Sequence, residues 1–206
     1  MNGAKPLIAF LLVAMVIGGI SWLAVRTLGG PEEIESATVL PERQPLPEFS
    51  LLDHEGAPFD RERLVGRTSL LFFGFTHCPD ICPATLELLA SARRELAAGS
   101  TAESRLPQIV FVSVDPERDT PERLAAYVGH FGPGTIGVTG SEEKLRALTE
   151  PLGIWFEKQP MGDGYTVSHS TAVLVVDPQA RLQALFASPH RQESFVHDIP
   201  LLMASR

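Results

Sequence analysis

At 206 residues, 44% of them hydrophobic, the chain can fill one domain and carry an appendage, and it is too short for two domains of ordinary size. Its formal net charge of −8 at pH 7 argues against a non-specific nucleic-acid binder, which needs a basic surface to displace counterions from phosphates. Two cysteines, Cys78 and Cys82, make up the whole thiol complement.

Residues 7 to 25, LIAFLLVAMVIGGISWLAV, carry no charge. As a helix they would span about 28 Å, close to the hydrocarbon layer of about 30 Å. Lys5 precedes the run, and Arg26 with the acidic stretch PEEIE follows it, so the positive-inside bias favours a cytoplasmic N-terminus and export of the rest. The run exceeds the usual apolar core of a signal peptide and offers no small-residue cleavage site. An uncleaved transmembrane anchor over residues 1 to 26 is therefore expected, with a cleaved signal as the alternative. Without a transit segment, such an anchor suits a bacterial inner membrane with the folded domain in the periplasm. Residues 27 to 45, with Gly29, Gly30, Pro31, Pro41 and Pro45, lack an apolar period and read as a linker.

The domain is expected over residues 46 to 206. EFSLLDHEGAPFD (48 to 60) predicts a hairpin around His54, Glu55 and Gly56. SLLFFGF (69 to 75) and QIVFVSVD (108 to 115) are near-continuous apolar runs, separated by an amphipathic segment from Ala84 to Ala98. Strands buried on both faces with a helix between them predict a right-handed βαβ crossover. TPERLAAYVGHF (120 to 131) predicts a helix with Thr120 as cap and Pro121 first inside, and SEEKLRALTEPLG (141 to 153) one capped by Ser141 and ending near Gly153. STAVLVVD (170 to 177) and RLQALFA (181 to 187) flank the turn PQA and predict an antiparallel pair. A last helix is expected from about Arg191, with Phe195, Ile199 and Leu202 on one side and Pro200 kinking or interrupting it. This order of elements is that of an α/β thioredoxin-like fold.

The cysteines fall at the carboxyl end of a predicted strand and the start of a helix, where functional groups of open α/β sheets gather. In an oxidising compartment two nearby thiols tend towards a structural disulfide. A loop with only three intervening residues restrains the unfolded chain little, so such a bridge would stabilise less than one closing a long loop. Pro83 disfavours helix at Cys82, so the helix is expected to start at Pro83 with Cys82 as its cap. The helix dipole should lower the thiol pKa there. Thiolates attack disulfides, reduce peroxides or bind metal, and the pair alone leaves all three chemistries open.

His169, in GDGYTVSHSTAVLVVD, is expected in the loop before the final hairpin, which in a thioredoxin-like domain lies against the cysteine loop. Two thiolates and one imidazole form a trigonal site. Soft sulfur suits Cu(I) and imidazole also suits Cu(II), whereas a closed zinc site would want a fourth ligand. Exchange of a metal through thiolates needs access, so the site is expected at the surface.

FGFTHCPDICPATL, VFVSVDPERDTPERLAAY and YTVSHSTAVLVVDP, in this order, resemble the SCO/SenC copper-binding proteins over roughly residues 46 to 200. The resemblance implies a thioredoxin-like fold and one copper ion per chain, held by Cys78, Cys82 and His169. It implies a membrane-anchored copper chaperone serving the CuA site in subunit II of cytochrome c oxidase, with another copper chaperone as possible donor. It also admits a thiol-disulfide oxidoreductase acting through Cys78 and Cys82 on the cysteines of that site, or a redox or copper sensor. The chain departs from thiol oxidoreductases of this fold, which usually place two residues between the cysteines and a cis-proline opposite. Here Ser170 stands near that proline position. Peroxiredoxins carry a threonine three residues before the reactive cysteine; Thr76 is two before Cys78.

Asp80 could orient the site or serve only as a turn former. His77 could tune Cys78 or point away from it. Asp115 and Asp119 lie at a strand end, a functional address, yet caps and loops also use such residues. Met161 offers a soft sulfur or core packing, and Trp155 and Tyr165 a docking surface or core. His54, His130, His190 and His197 share no ligand-like spacing and read as structural.

Overall fold

Two uninterrupted apolar runs make the centre of the sheet. In the computed structural model, which describes residues 14 to 22, 33 to 99, 103 and 106 to 205, Ser69–Gly74 and Gln108–Ser113 are strands in which every residue is buried. They pair in parallel with Phe72 opposite Phe111, and the helix Ile81–Ala98 connects them. Full burial of both faces is what an apolar run without alternation encodes. Each fully buried phenylalanine contributes about 1.5–3 kcal/mol, and Phe72, Phe73, Phe111 and Phe195 are among the largest such side chains.

In chain order the strands are β1 (Thr38–Pro45), β2 (Ser50–Asp53), β3 (Pro58–Asp60), β4 (Ser69–Gly74), β5 (Gln108–Ser113), β6 (Thr135–Thr139), β7 (Phe156–Met161), β8 (Gly164–His169), β9 (Val173–Val176) and β10 (Arg181–Phe186). The α-helices of the unit that begins at Ile34 are α1 (Ile81–Ala98), α2 (Pro121–Val128), α3 (Glu142–Thr149) and α4 (Gln192–Ala204). Among the described residues, eight strands form one sheet in the order β1-β10-β9-β4-β5-β6-β2-β3, while β7 and β8 pair only with each other. The expected caps are present: Thr120 and Ser141 accept from the backbone N–H groups of Arg123 and Lys144. Gly153 ends the α3 region in the left-handed conformation at φ 69°, which glycine adopts without steric cost.

Three expectations need correction. The stretch expected as linker contains β1, and the compact unit begins at Ile34. β1 is an edge strand, where proline is tolerated; its register against β10 shifts between Val39 and Gln44, so Pro41 falls in the break. Its entry is fixed by Asp198, whose carboxylate accepts the backbone N–H groups of Glu35, Ser36 and Ala37 at 3.1, 2.8 and 2.7 Å. Of the kink or interruption expected at Pro200, the interruption is absent: α4 runs through it, held by the buried Phe195, Ile199 and Leu202. Finally, α1 starts at Ile81 rather than Pro83. Proline in a first turn forfeits an N–H that has no helical acceptor anyway.

The remaining unit covers Met1–Glu33, of which 14 to 22 are helical. Of the expected membrane span over 7 to 25, residues 7 to 13 and 23 to 25 lie outside the described residues. Among those described, no helix is long and apolar enough to cross a membrane.

Candidate metal centre

β4 delivers the chain to the cysteine loop through Gly74, and the absence of a side chain there is a spatial requirement. A Cβ on Gly74 would lie 2.8 Å from the Cys82 sulfur and 2.8 Å from the Phe111 ring. Beyond it, Thr76 is tied to the end of the neighbouring strand. The buried carboxylate of Asp119 accepts the Thr76 N–H at 2.8 Å, the Thr76 hydroxyl at 2.6 Å and the Ser113 hydroxyl at 2.6 Å.

The cysteines differ although they share one turn of chain. Cys82 lies in the first turn of α1, on the face that buries Leu86 and Leu89, and is itself fully buried. Its backbone N–H is one of the helix donors without a helical acceptor, and it donates to the Cys78 sulfur at 3.4 Å. Asp80, at the cap position, makes no side-chain cap bond, so a sulfur takes that role. The Cys78 thiol is lowered to about 4, first by a hydrogen bond from the Cys82 thiol and, against the cost of burial, by the backbone N–H groups of Cys82 and Asp80. Cys82 is driven the other way, first by that same bond and then by burial. The expected depression of thiol pKa holds for Cys78 and is reversed for Cys82. Both cysteines are free thiols. The site is also more recessed than expected, with Cys78 only 9% exposed and Cys82 at 0%; helix packing draws the second sulfur inward and leaves access along the Cys78 edge.

His169 ends β8 opposite Phe156 of β7, within a strand rather than in a loop. Its Nδ1 lies 2.9 Å from the Ser170 carbonyl oxygen, which can only accept, so Nδ1 carries the proton and Nε2 the lone pair. Nε2 lies 3.6 Å from the Cys82 sulfur. The ring packs edge-on against Phe72 and Phe75, with centroids at 6.4 and 5.9 Å. Ser170 fixes the strand end by exchanging two bonds with Trp155, its N–H donating to the Trp155 carbonyl at 3.0 Å and its hydroxyl accepting the Trp155 N–H at 3.1 Å. A carbonyl holding one imidazole nitrogen while the other faces the donor cluster is the usual outer support of a metal-ligating histidine.

Among the described residues, the trio whose donor atoms all lie within 4.8 Å of one another is His77, Asp115 and Asp119; the donor atoms of Cys78, Cys82 and His169 are spread wider than that. The two carboxylates of that trio are already engaged by protein donors: Asp119 by Thr76 and Ser113, Asp115 by Arg118 and by the Tyr165 hydroxyl at 2.8 Å. His77 faces Asp119, at 3.8 Å, rather than Cys78. Asp80 is exposed. Met161 is paired with Gly164 at the opposite end of the hairpin from His169, roughly 17 Å away along a six-residue strand, and cannot assist that histidine directly.

Trp155 is 55% exposed, whereas Tyr165 is half-buried and bonded to Asp115. Burial first, and then the Asp115 bond, push the Tyr165 phenol up to about 12. His54, His130, His190 and His197 contact the Gly137 amide, the Tyr127 carbonyl, the Thr171 carbonyl and the Asp198 carboxylate. Sequence reading passed over Gly74, Phe75, Ser113 and Arg118; only Arg118 carried a signal, through its place in VDPERDTP.

A family model described as SCO1/SenC matches residues 39–204. A putative copper-binding protein of Stutzerimonas stutzeri is 38% identical over 167 residues, covering 80% of this chain and 80% of the relative. The mitochondrial SCO2 homolog of Bos taurus is 33% identical over 204 residues, covering 95% of this chain and 75% of the relative. Among solved structures, copper-bound Arabidopsis thaliana ScoI superposes with a TM-score of 0.73 at 31% identity, covering 78% of this chain and 99% of that one. Copper-bound yeast Sco1 does so with 0.72 at 28%, covering 79% and 90%. With the match running from β1 to the end of α4, this chain belongs to the SCO1/SenC family.

Proposed function

We propose that the chain is a membrane-anchored copper carrier that delivers one copper ion to the CuA site of cytochrome c oxidase subunit II. Cys78 and Cys82 hold the cargo as thiolates and His169 as a neutral imidazole. The observation that carries the reading is the His169 ring, with Nδ1 bonded to Ser170 and Nε2 3.6 Å from the Cys82 sulfur. The donor set fits copper by its chemistry: two soft sulfurs for Cu(I) and a nitrogen that also serves Cu(II). Copper-bound relatives of the same fold support the cargo, and the family supplies the oxidase. The anchor over residues 1 to 26 would hold the domain on the exported face of a bacterial inner membrane.

Cys78 is the entry ligand, being the more exposed sulfur and already ionised near neutral pH. Cys82 must lose its proton on capture, since metal binding requires thiolate. Its burial keeps the cargo from water once taken. Copper loading of the full chain tests this. A sulfur-to-Cu(II) charge-transfer band is expected in the wild type and absent in Cys78→Ser and Cys82→Ser. His169→Ala should lose Cu(II) while retaining a two-sulfur Cu(I) site, and unchanged Cu(II) affinity in that variant would exclude His169.

The split between the thiols favours a second reading on the same residues. A Cys78 thiolate could attack a disulfide of the oxidase subunit to form a mixed disulfide and release one target thiolate. Deprotonated Cys82 would then displace the other, leaving the target reduced and a Cys78–Cys82 disulfide here. Disulfide exchange by metal-free protein, fast and unaffected by His169→Ala, separates this role from carriage.

A further inference from the structure

The ligands come from differently supported parts of the fold. The cysteine loop continues a central strand, but His169 rides on β7–β8, which among the described residues shares no strand pairing with the main sheet. A two-stranded ribbon alone is marginal in water, so what holds it down decides where the imidazole stands.

From the geometry we propose that Asp115, Arg118 and Tyr165 form a latch that clamps the β7–β8 hairpin to the end of β5, positioning His169 against the cysteine loop before copper arrives. Tyr165 lies on β8, and its hydroxyl donates to Asp115 Oδ1 at 2.8 Å and approaches Glu117 Oε2 at 3.3 Å. Arg118 donates through Nε to Asp115 Oδ2 and through Nη1 to the Tyr165 carbonyl at 3.1 Å. Its guanidinium lies 3.9 Å from the Tyr165 ring centroid and 5.8 Å from that of Phe75. Phe75 in turn packs edge-on against His169. A continuous line of contact therefore runs from hairpin to latch to cysteine loop and back to the imidazole. Lys158 of β7 adds a second tie, its Nζ 2.6 Å from Glu117 Oε1.

Asp115 is fully buried while Arg118 keeps 25% of its side-chain exposure, and Arg118 Nη2 is buried without a hydrogen-bond partner among the described residues. An unmet buried donor is tolerated only where the other contacts of its group outweigh the loss. None of the three residues is a ligand; they act through His169 as positioning residues. This inference rests on the copper reading for its purpose, but its geometry can be tested without metal.

The test is Tyr165→Phe in the full chain, which removes the bond to Asp115 and keeps the ring beneath Arg118, with Arg118→Gln as a second variant. In metal-free protein, amide hydrogen exchange of residues 157 to 168 should speed up about tenfold or more, as loss of a hydrogen bond to a charged group implies, with exchange in β4 and β5 unchanged. Cu(II) affinity should fall more than Cu(I) affinity, and the nitrogen coupling in the Cu(II) resonance spectrum should broaden. Unchanged hairpin exchange in both variants would overturn the latch. So would an equal fall in Cu(I) and Cu(II) affinity, which marks a general loss of structure. If wild-type protein failed to bind copper while hairpin exchange still rose in the variants, the copper reading alone would fail.

Discussion

The cysteine arm and the histidine arm meet at one site but are built to different standards. The cysteine arm leaves β4, whose residues are all buried, presses a sulfur against the bare backbone of Gly74, and is pinned by a carboxylate that accepts three hydrogen bonds. The histidine arm is a ribbon outside the main sheet, held by Ser170, Trp155 and the side chains around Asp115. In the first arm geometry is a consequence of core packing; in the second it depends on a few polar ties. For the proposed copper carrier, that difference would let His169 withdraw without disturbing the core.

The sharpest way to break the comparison is Asp119→Ala. It strands the Thr76 and Ser113 donors in a buried setting and should cost about 3 kcal/mol or more, read as a lower urea midpoint with copper binding lost. Gly74→Ala comes next: the new methyl meets Cys82 and Phe111, and overpacking of this kind costs about 1–3 kcal/mol. Thermal unfolding should register it, and Cys82 should become open to alkylation. On the other arm, Ser170→Ala removes one bond worth about 1 kcal/mol and should leave global unfolding nearly unchanged while speeding hydrogen exchange in β8. If Ser170→Ala cost as much as Asp119→Ala, the two arms would not differ in kind.

The thiols sharpen the contrast within one arm. With Cys78 lowered to about 4, its alkylation rate should be nearly flat from pH 6 to pH 8 and fall only as pH drops towards that value, whereas an ordinary thiol near 8.5 would slow about tenfold per pH unit below it. Cys82, raised instead, should stay unreactive throughout that range. Mass spectrometry of singly alkylated protein distinguishes them.

The smallest effect lies away from both arms. Asp177 and Asp198 are buried, which raises their pKa, but hydrogen bonds from Arg181 and backbone amides, and from His197 and the residues 35 to 37 amides, more than offset that and hold both low. A depressed carboxylate stabilises the fold fully above its unfolded value of about 3.9 and loses that stabilisation as pH falls through the folded value. The urea midpoint should therefore drop below about pH 4, and Asp198→Asn should flatten that drop without altering copper affinity at neutral pH.

The central fold was legible because its code is local. Apolar runs gave β4 and β5, and Thr120 and Ser141 announced their helices. β1 escaped because PERQP carries no strand signal and is ordered by Asp198, far along the chain. β7 and β8 escaped because a small exposed ribbon has only partial alternation. The three candidate ligands were visible as residue types at a familiar spacing and address. Their unequal protonation was not, because it depends on which thiol donates to the other in the folded loop and on how deeply each is buried. Nor was the Tyr165–Asp115 bond, which joins segments that only the folded sheet brings together.

The most direct test of the account is X-ray absorption at the copper edge of the full chain loaded with one equivalent of Cu(II), compared with His169→Ala. Two sulfur scatterers and one imidazole nitrogen are predicted for the wild type, with the nitrogen lost in the variant. A wild-type spectrum without sulfur, or an imidazole signal that survives in His169→Ala, would contradict it.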